Sequence, residues 1–194
     1  MNQAYYILYK NVCSFVAFRT KEKVDIMSYD AFKGKISKDK NILISVKSII
    51  VYINFDHEFG IYNFRVLCEK LISNTPNIKD KEVLFIIADD PSVIKYTEQL
   101  KPFTDLQHAY VFEYRAFTFD ITERQDSTKY KILTNEEIKD LREFFCDGSW
   151  EKNIPKISSS DIGIRWYGAK PGDVVMSKST SINSTQCISY LRVD

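Results

Sequence analysis

The sequence contains few of the residues that build metal sites and disulfide frameworks. Its 194 residues include only four cysteines and two histidines, His57 and His108. The cysteines lie far apart, without a Cys-x-x-Cys pair, at Cys13, Cys68, Cys146 and Cys187. This spacing gives neither a zinc signature nor a disulfide framework, and it predicts reduced, mostly buried thiols. We therefore expect no metal and no cofactor. Neither histidine belongs to a serine or cysteine motif that would predict a catalytic triad.

Long apolar runs, glycine-rich loops and a large net charge are also absent. No apolar stretch approaches the ~20 residues of a membrane-spanning helix, and residues 1–9 lack the basic start and apolar core of a signal peptide. No glycine-rich phosphate loop is present. The net charge of +1 argues against a dedicated nucleic-acid-binding domain, which is usually strongly basic. With 44% hydrophobic and 27% charged residues, the chain is expected to be globular, soluble and intracellular, with no membrane partner.

The first part of the chain alternates helical and strand patterns. Apolar residues recur three and four positions apart over Ala4–Lys23, which predicts an amphipathic helix, and Ser28 is a suitable N-cap for a second one. The apolar run Ile49–Ile53 predicts a strand covered on both faces. The remaining predicted elements are strands at Ile42–Ile44, Ser48–Phe55 and Glu82–Ala88, a helix from Ile61 that stops before Pro76, a helix at Ser92–Leu100, and one or two strands within Ala109–Ile121. This alternation predicts an α/β domain with a mixed sheet.

A polar segment, Thr122–Lys131, follows these elements and is the best candidate for a linker. The chain is long enough for one large or two small domains. We therefore expect an N-terminal domain of residues 1–125 and a C-terminal module of residues 126–194.

The C-terminal module combines one helix with a pair of strands. Thr134 and Glu137 have the spacing of a capping box at the start of a helix that Gly148 is placed to end. Strands are predicted at Val174–Lys178 and Gln186–Val193, so the module is expected to be a small α+β fold.

A tight turn is predicted just before the first of these strands. Asp161 precedes a short apolar run and is placed to cap a short helix. Pro171 presets φ for the second position of a turn, and Gly172 next to it supplies the positive φ of a type II turn. Gly168 indicates a second place where the chain bends. No catalytic group belongs to this stretch.

The residues of this stretch and its flanks resemble subunit five of the multisubunit DNA-directed RNA polymerases, a family that also has archaeal members. The resemblance has matching spacing without a gap from Ile154 to Val175, and it continues upstream to Lys129 and downstream to Tyr190. It assigns no catalytic, cofactor-binding or metal-binding residue. The positions expected to have structural or subunit-interface roles by this resemblance are Ile154, Pro155, Asp161, Arg165, Trp166, Gly168, Pro171, Gly172, Val174, Val175 and Tyr190.

The resemblance implies a non-catalytic polymerase subunit with a jaw domain and an assembly domain. Its C-terminal module would dock on the largest subunit beside the other core subunits, and its N-terminal domain would be an endonuclease-like, catalytically empty fold in the jaw near downstream DNA. In the first part of the chain the resemblance is weaker and covers Tyr29–Lys35, Ile50–Phe64 and Phe119–Thr122. This layout implies the eukaryotic-type or large-DNA-virus version, located in the nucleus, or in the host cytoplasm and virion if viral.

Several positions depart from the family pattern. Ile162 replaces the usual proline after Asp161, and Thr128 and Tyr130 replace the proline and histidine of the family's linker motif. The basic-Pro-Ser turn between the last strands becomes Ser179-Thr180-Ser181. These changes indicate a divergent polymerase, and the abundance of Lys, Ile, Asn and Tyr is typical of an AT-rich, viral genome.

Two other functions remain open from the residues alone: a nuclease-fold DNA-binding protein and a free-standing protein-interaction adaptor. Carboxylates that could serve a nuclease lie at predicted strand ends, at Asp56, Glu58, Asp89 and Asp90. An acidic-x-Lys motif on a following strand is missing, since Glu137-Ile-Lys139 belongs to a predicted helix. The second predicted helix carries a lysine cluster that could contact DNA phosphates or simply face solvent: Lys33, Lys35, Lys38 and Lys40.

Overall fold

The computed structural model describes residues 3–87, 93–123, 127–145, 153–180 and 186–194. The chain divides into an N-terminal unit, Met1–Phe119, and a C-terminal unit, Asp120–Asp194. Within the described residues, each unit contains its own four-stranded sheet.

The N-terminal unit alternates helices and strands, as the sequence predicts. Its helices are α1 (Gln3–Thr20), α2 (Tyr29–Asp39), α3 (Ile61–Asn74) and α4 (Val93–Leu100). Its strands are β1 (Asn41–Val46), β2 (Ile49–Asn54), β3 (Glu82–Ile87) and β4 (Ala109–Glu113), and short 3₁₀ turns lie at Ile78–Asp80 and Tyr114–Phe117.

The N-terminal sheet is mixed, which confirms that prediction. Its strand order is β1-β2-β3-β4; β1 and β2 are antiparallel, while β2 is parallel to β3 and β3 to β4. Every residue of β2 is buried. Strand Ile49–Asn54 is therefore covered on both faces, as its unbroken apolar run indicates.

Helices cover both faces of this sheet. On one face, Phe64 of α3 packs edge-on against Phe85 of β3 at 4.9 Å between ring centroids, and Tyr96 of α4 packs on Phe64 at 5.2 Å. The other face lies against α1, where Phe15 contacts Phe117 at 5.4 Å between ring centroids. Large apolar side chains on both faces remove much apolar surface from water, which is the main stabilising term for such a layer.

Some boundaries in this unit differ from the predictions. Only Ala109–Glu113 of the segment Ala109–Ile121 is a strand, because the chain turns into a 3₁₀ helix at Tyr114, whose hydroxyl donates a hydrogen bond to the carbonyl of Asn54. Helix α1 ends at Thr20 because Lys21 takes a left-handed φ of 58°. Ala88 and Ser92, predicted ends of β3 and α4, lie outside the described residues.

The C-terminal unit is an α+β fold. Its strands are β5 (Lys129–Ile132), β6 (Lys156–Ile157), β7 (Val174–Thr180) and β8 (Gln186–Val193), and its described helices are α5 (Asn135–Phe145) and α6 (Ile162–Tyr167). The strand order is β5-β7-β8-β6; β7 is antiparallel to β5 and β8, and β6 is parallel to β8. Gly148 lies outside the described residues.

The two helices pack on opposite faces of this sheet because successive strand residues point to opposite sides. Ile164 of α6 packs with Val175, and Leu141 of α5 packs with Val174. The capping box at α5 is confirmed: the Glu137 N–H donates to Thr134 Oγ at 3.3 Å, and the Thr134 N–H donates to Glu137 Oε2 at 3.0 Å. Both last strands are confirmed as well, with β7 extending to Thr180.

The segment assigned to a linker differs from its prediction at its end. Lys129–Lys131 belongs to strand β5, which pairs with β7 from Lys129↔Lys178 to Ile132↔Val175. Lysine-rich composition is compatible with an edge strand, which pairs on one side only. Among all described helices, none is long and apolar enough to span a membrane.

Candidate interface on the C-terminal unit

The predicted cap and turn flank helix α6. The carboxylate of Asp161 accepts a hydrogen bond from the Ile164 N–H at 3.1 Å, which satisfies a donor that the short helix leaves free. Gly168 ends the helix with φ of 81°, and its N–H donates to the carbonyls of Ile164 and Arg165 at 3.0 and 3.1 Å. Both expectations for this helix are confirmed.

The Pro171-Gly172 turn holds the start of β7 against the end of β8. Gly172 has φ of 96°, as the turn prediction requires, and its N–H donates to the Val193 carbonyl at 2.9 Å. Asp173 closes the turn, because its carboxylate accepts a hydrogen bond from the Lys170 N–H at 2.7 Å. These hydrogen bonds therefore hold Pro171 and Gly172 in a defined position at the surface.

The residues singled out by the family resemblance fall into core and surface groups. Those buried in the unit are Trp166, Val174 and Val175. The partly buried ones are Ile154, Arg165, Gly168 and Tyr190. The exposed ones are Pro155, Asp161, Pro171 and Gly172. The buried members stabilise the fold, so a binding role can only belong to the partly buried and exposed members.

Two clefts flank helix α5 and bring several of these positions together. The first cleft, of about 440 Å³, is lined by Lys131, Leu133, Glu137, Asp140, Leu141, Phe144, Met176 and Tyr190. The second cleft, of about 490 Å³, is lined by Ile138, Arg142, Ile154, Pro171, Gly172, Val174, Arg192, Val193 and Asp194. The partly buried aliphatic and aromatic floor with charged rims is typical of surfaces that receive another polypeptide.

Charged side chains at the rims pair with each other. At the first cleft Lys131 pairs with Glu137, and this hydrogen bond, with help from the Thr134 N–H, lowers the pKa of the Glu137 carboxyl. At the second cleft Lys156 Nζ lies 3.0 Å from the Asp194 carboxylate, and this hydrogen bond lowers the pKa of Asp194. These exposed pairs orient the rims more than they stabilise the fold.

The carboxylates considered for nuclease chemistry form no described metal site. Asp56 accepts a hydrogen bond from Lys40 Nζ at 3.1 Å and another from the Glu58 N–H at 3.2 Å, and the first of these lowers the pKa of Asp56. No group of three potential metal ligands occurs within the described residues. Asp89 and Asp90 lie outside them. Glu137 and Lys139 both lie on helix α5, as expected.

The lysine cluster of the N-terminal unit is partly neutralised. Lys35 Nζ lies 3.0 Å from the Asp39 carboxylate, and Lys40 pairs with Asp56. Lys33 and Lys38 are exposed on α2. Two of the four lysines are therefore already paired with carboxylates of the same unit.

The cysteines and histidines show no catalytic arrangement among the described residues. Cys13 and Cys68 are buried, and burial raises the pKa of their thiols to about 11 and about 12. Cys187 is exposed on β8, which differs from the expectation of buried thiols, and Cys146 lies outside the described residues. His57 shares a 2.9 Å hydrogen bond with the Tyr5 hydroxyl.

Comparison with protein families matches residues 119–193 to the model described as RNA polymerase Rpb5, C-terminal domain. No curated protein matches the chain significantly. The matched segment contains the whole C-terminal sheet, the Pro171-Gly172 turn, and all of both clefts except Asp194. This match indicates a subunit of a DNA-directed RNA polymerase. Over residues 119–193 the chain is therefore similar to the C-terminal domain of Rpb5.

The motif reasoning missed two residues that line the first cleft beside Tyr190. Met176 and Phe144 line it, yet neither stands at a position that the family pattern singled out. The signal that could have found Phe144 is its place on helix α5 three residues after Leu141, a spacing that puts both side chains on one side of the helix.

Proposed function

We propose that this chain is a non-catalytic subunit of its polymerase and that the C-terminal unit docks on the largest subunit. The observation that carries the proposal is the overlap between the family pattern and the second cleft. The family resemblance singles out Ile154, Pro171, Gly172 and Val174, and all four line that cleft. Packing of the C-terminal unit explains the buried Val174, and the turn explains the positive φ of Gly172. Pro171 and Gly172 are also exposed at the rim of the second cleft, where a partner can contact them.

We further propose that the N-terminal unit is part of the jaw near downstream DNA. Support comes from the exposed α2 lysines Lys33 and Lys38, whose side chains can reach phosphates without giving up an ion pair among the described residues. A weak, non-specific contact fits a chain of net charge +1.

Affinity purification of the tagged full chain from cells that make its polymerase tests the docking proposal. We expect the large polymerase subunits to remain bound through a high-salt wash, because an apolar interface is little weakened by screening. Recovery of the chain alone, or with proteins unrelated to transcription, would contradict the proposal and favour the adaptor. Metal-dependent DNA cleavage by the purified chain would favour the nuclease-fold alternative.

Replacement of Lys33 and Lys38 by alanine tests the jaw proposal. The double variant should stay bound to the polymerase while crosslinking of this subunit to downstream DNA falls. The matched control is Lys35→Ala with Lys40→Ala, which removes two lysines already paired with carboxylates. An equal loss of crosslinking in both double variants would show that position on α2 does not matter.

A further inference from the structure

Among the described residues, one edge of the C-terminal sheet is unpaired over most of its length. Strand β8 spans Gln186–Val193 and pairs with β7 along nearly its whole length. On its other side, β6 pairs only with Arg192 and Val193. Within the part of the chain that the structure describes, no strand pairs with Gln186–Leu191 on that side.

The backbone groups that face this open edge can be assigned from the hydrogen bonds at its end. The N–H groups of Arg192 and Asp194 donate toward β6, to the carbonyls of Pro155 and Ile157 at 2.9 Å each. The N–H of Val193 donates to the opposite side. The backbone groups of successive strand residues point to opposite sides of the strand. The N–H and C=O groups of Gln186, Ile188 and Tyr190 therefore face the open edge, like those of Arg192 and Asp194.

Proline stops the β6 ladder at the place where the open edge begins. The next donor in the parallel ladder would be the backbone N–H of residue 155, and Pro155 has none. The carbonyl of Tyr190 therefore receives no backbone hydrogen bond from β6.

The open edge lacks the residues that protect other edges. Strand β5, the opposite edge, is four residues long and carries Lys129 and Lys131, and β6 is preceded by Pro155 and begins with Lys156. Lysine and proline are the usual means of preventing edge pairing. The stretch Gln186–Leu191 contains neither, and Ile188 within it is 53% exposed.

The apolar first cleft continues from this edge on one face of the sheet. Tyr190 is the register partner of Met176, and both line that cleft. Ile188 lies two residues from Tyr190 and thus on the same face. Phe144, 79% exposed, forms part of the same lining.

We propose that an extended segment of the polymerase subunit that binds the C-terminal unit adds as a strand to the open edge of β8. Its alternate side chains pack on Ile188 and Tyr190, and one apolar side chain enters the first cleft. A row of backbone donors and acceptors repeating every second residue is matched by another extended backbone, which is how β-augmentation achieves affinity, while side-chain pockets give specificity. This inference rests on the docking proposal and adds the binding mode.

Hydrogen exchange of the full chain, free and in the purified polymerase, tests the pairing directly. In the free chain the amides of Gln186, Ile188 and Tyr190 should exchange rapidly, while those of Cys187, Ser189 and Leu191, which face β7, exchange slowly. In the polymerase the first three should slow by about tenfold or more. Protection of these three amides in the free chain, or no change on assembly, would overturn the inference.

Two substitutions at one position separate the backbone from the side chain. Ile188→Pro removes an edge-facing N–H, which an edge strand tolerates, and Ile188→Ala keeps it. We expect retention by the polymerase to fall at least about tenfold for Ile188→Pro and distinctly less for Ile188→Ala. Equal retention of the proline variant and the unmodified chain would overturn the inference.

Failure of the inference can be told apart from failure of the docking proposal. If the unmodified chain stays bound but its edge amides do not slow, docking stands and strand addition is wrong. If the unmodified chain is not retained, docking itself is wrong. If Ile188→Pro unfolds, Ile188→Lys is tested instead. Its lysine places on the edge strand the kind of charge with which natural proteins prevent pairing of another strand. A concentration-dependent dimer of the free chain that Ile188→Pro abolishes would assign the edge to a second copy and overturn the inference.

Discussion

The two sheets of this protein differ in how completely the chain itself covers them. In the N-terminal unit every residue of β2 is buried, with helices on both faces. In the C-terminal unit Val193 is the single buried residue of β8, and the cluster between helix α5 and the sheet buries only Leu141 and Val174, with Tyr190 partly buried against them. Within the described residues, the helices of the N-terminal unit cover its sheet completely at β2, whereas the C-terminal sheet has an exposed strand, β8, with one side mostly unpaired.

This difference bears on how each unit is stabilised and on how each can bind a partner. A sheet covered on both faces gains its apolar burial from the folded chain alone. The segment Asp120–Asp194 is small for a self-sufficient core. An unpaired edge beside an apolar cleft promotes aggregation of a free protein. In a subunit of a larger assembly, the same edge and cleft offer a surface to a partner.

The largest expected effect belongs to the covered sheet. Phe64 is fully buried between Phe85 and Tyr96, so Phe64→Ala should lower the free energy of unfolding by about 3–5 kcal/mol through lost burial and a new cavity. Tyr62→Ala on the same helix is the matched control, because Tyr62 is 78% exposed. Denaturant titration followed by circular dichroism measures both. Similar losses of unfolding free energy for the two variants would show that Phe64 is not buried between helix α3 and the sheet as described.

A smaller effect is expected at the turn of the open sheet. Gly172 has φ of 96°, and a Cβ there would meet no atom within 4 Å, so Gly172→Val is opposed by backbone strain alone. We expect a loss of about 1–3 kcal/mol in the free energy of unfolding. Gly172→Asn should cost less, because asparagine tolerates positive φ. Equal costs for the two variants, measured by thermal melting, would contradict this explanation.

The sequence predicts those elements whose signal is local. The Asp161 cap, the Pro171-Gly172 turn and the capping box at Thr134 each depend on residues within a few positions of one another, and all three form. The strands Val174–Thr180 and Gln186–Val193 lie on either side of a connection rich in Ser, Thr and Asn, which is a local signal as well. Family resemblance adds the polymerase assignment, which no single pattern carries.

The errors lie where distant residues decide the local structure. Tyr114 continues an apolar run that favours a strand, but its hydroxyl bonds to the Asn54 carbonyl, 60 residues away in sequence, and the chain turns. Strand β5 is polar in sequence, and it becomes a strand because β7 supplies the pairing. The first cleft could not be foreseen either, since Met176 and Tyr190 meet only once the register of β7 and β8 is known.

The start of helix α5 offers a more local test of the C-terminal unit. Thr134→Ala removes the hydroxyl that accepts the Glu137 N–H, so the helix loses one N-terminal hydrogen bond. We expect the free energy of unfolding to fall by about 1 kcal/mol. Thr134→Ser keeps the hydroxyl and serves as the control. If the alanine variant melts like the serine variant, the capping hydrogen bond does not stabilise α5.

The smallest expected effect is the pH dependence of the same cap. The hydrogen bond from Lys131, supported by the Thr134 N–H, lowers the pKa of Glu137 in the folded chain. A lowered carboxyl pKa favours the folded state above the unfolded value of about 4.3 and loses this contribution as the pH falls through the folded value. Glu137→Gln should therefore melt slightly below the unmodified chain at pH 7, and this difference should disappear as the pH falls through the folded pKa of Glu137. Glu136→Gln in the same turn is the control, since it changes the helix charge by the same amount without touching the cap. The melting temperatures of the Glu137 variant and the unmodified chain are compared at pH 7 and in acid. If their difference stays the same in acid, the charge of Glu137 does not stabilise the start of α5.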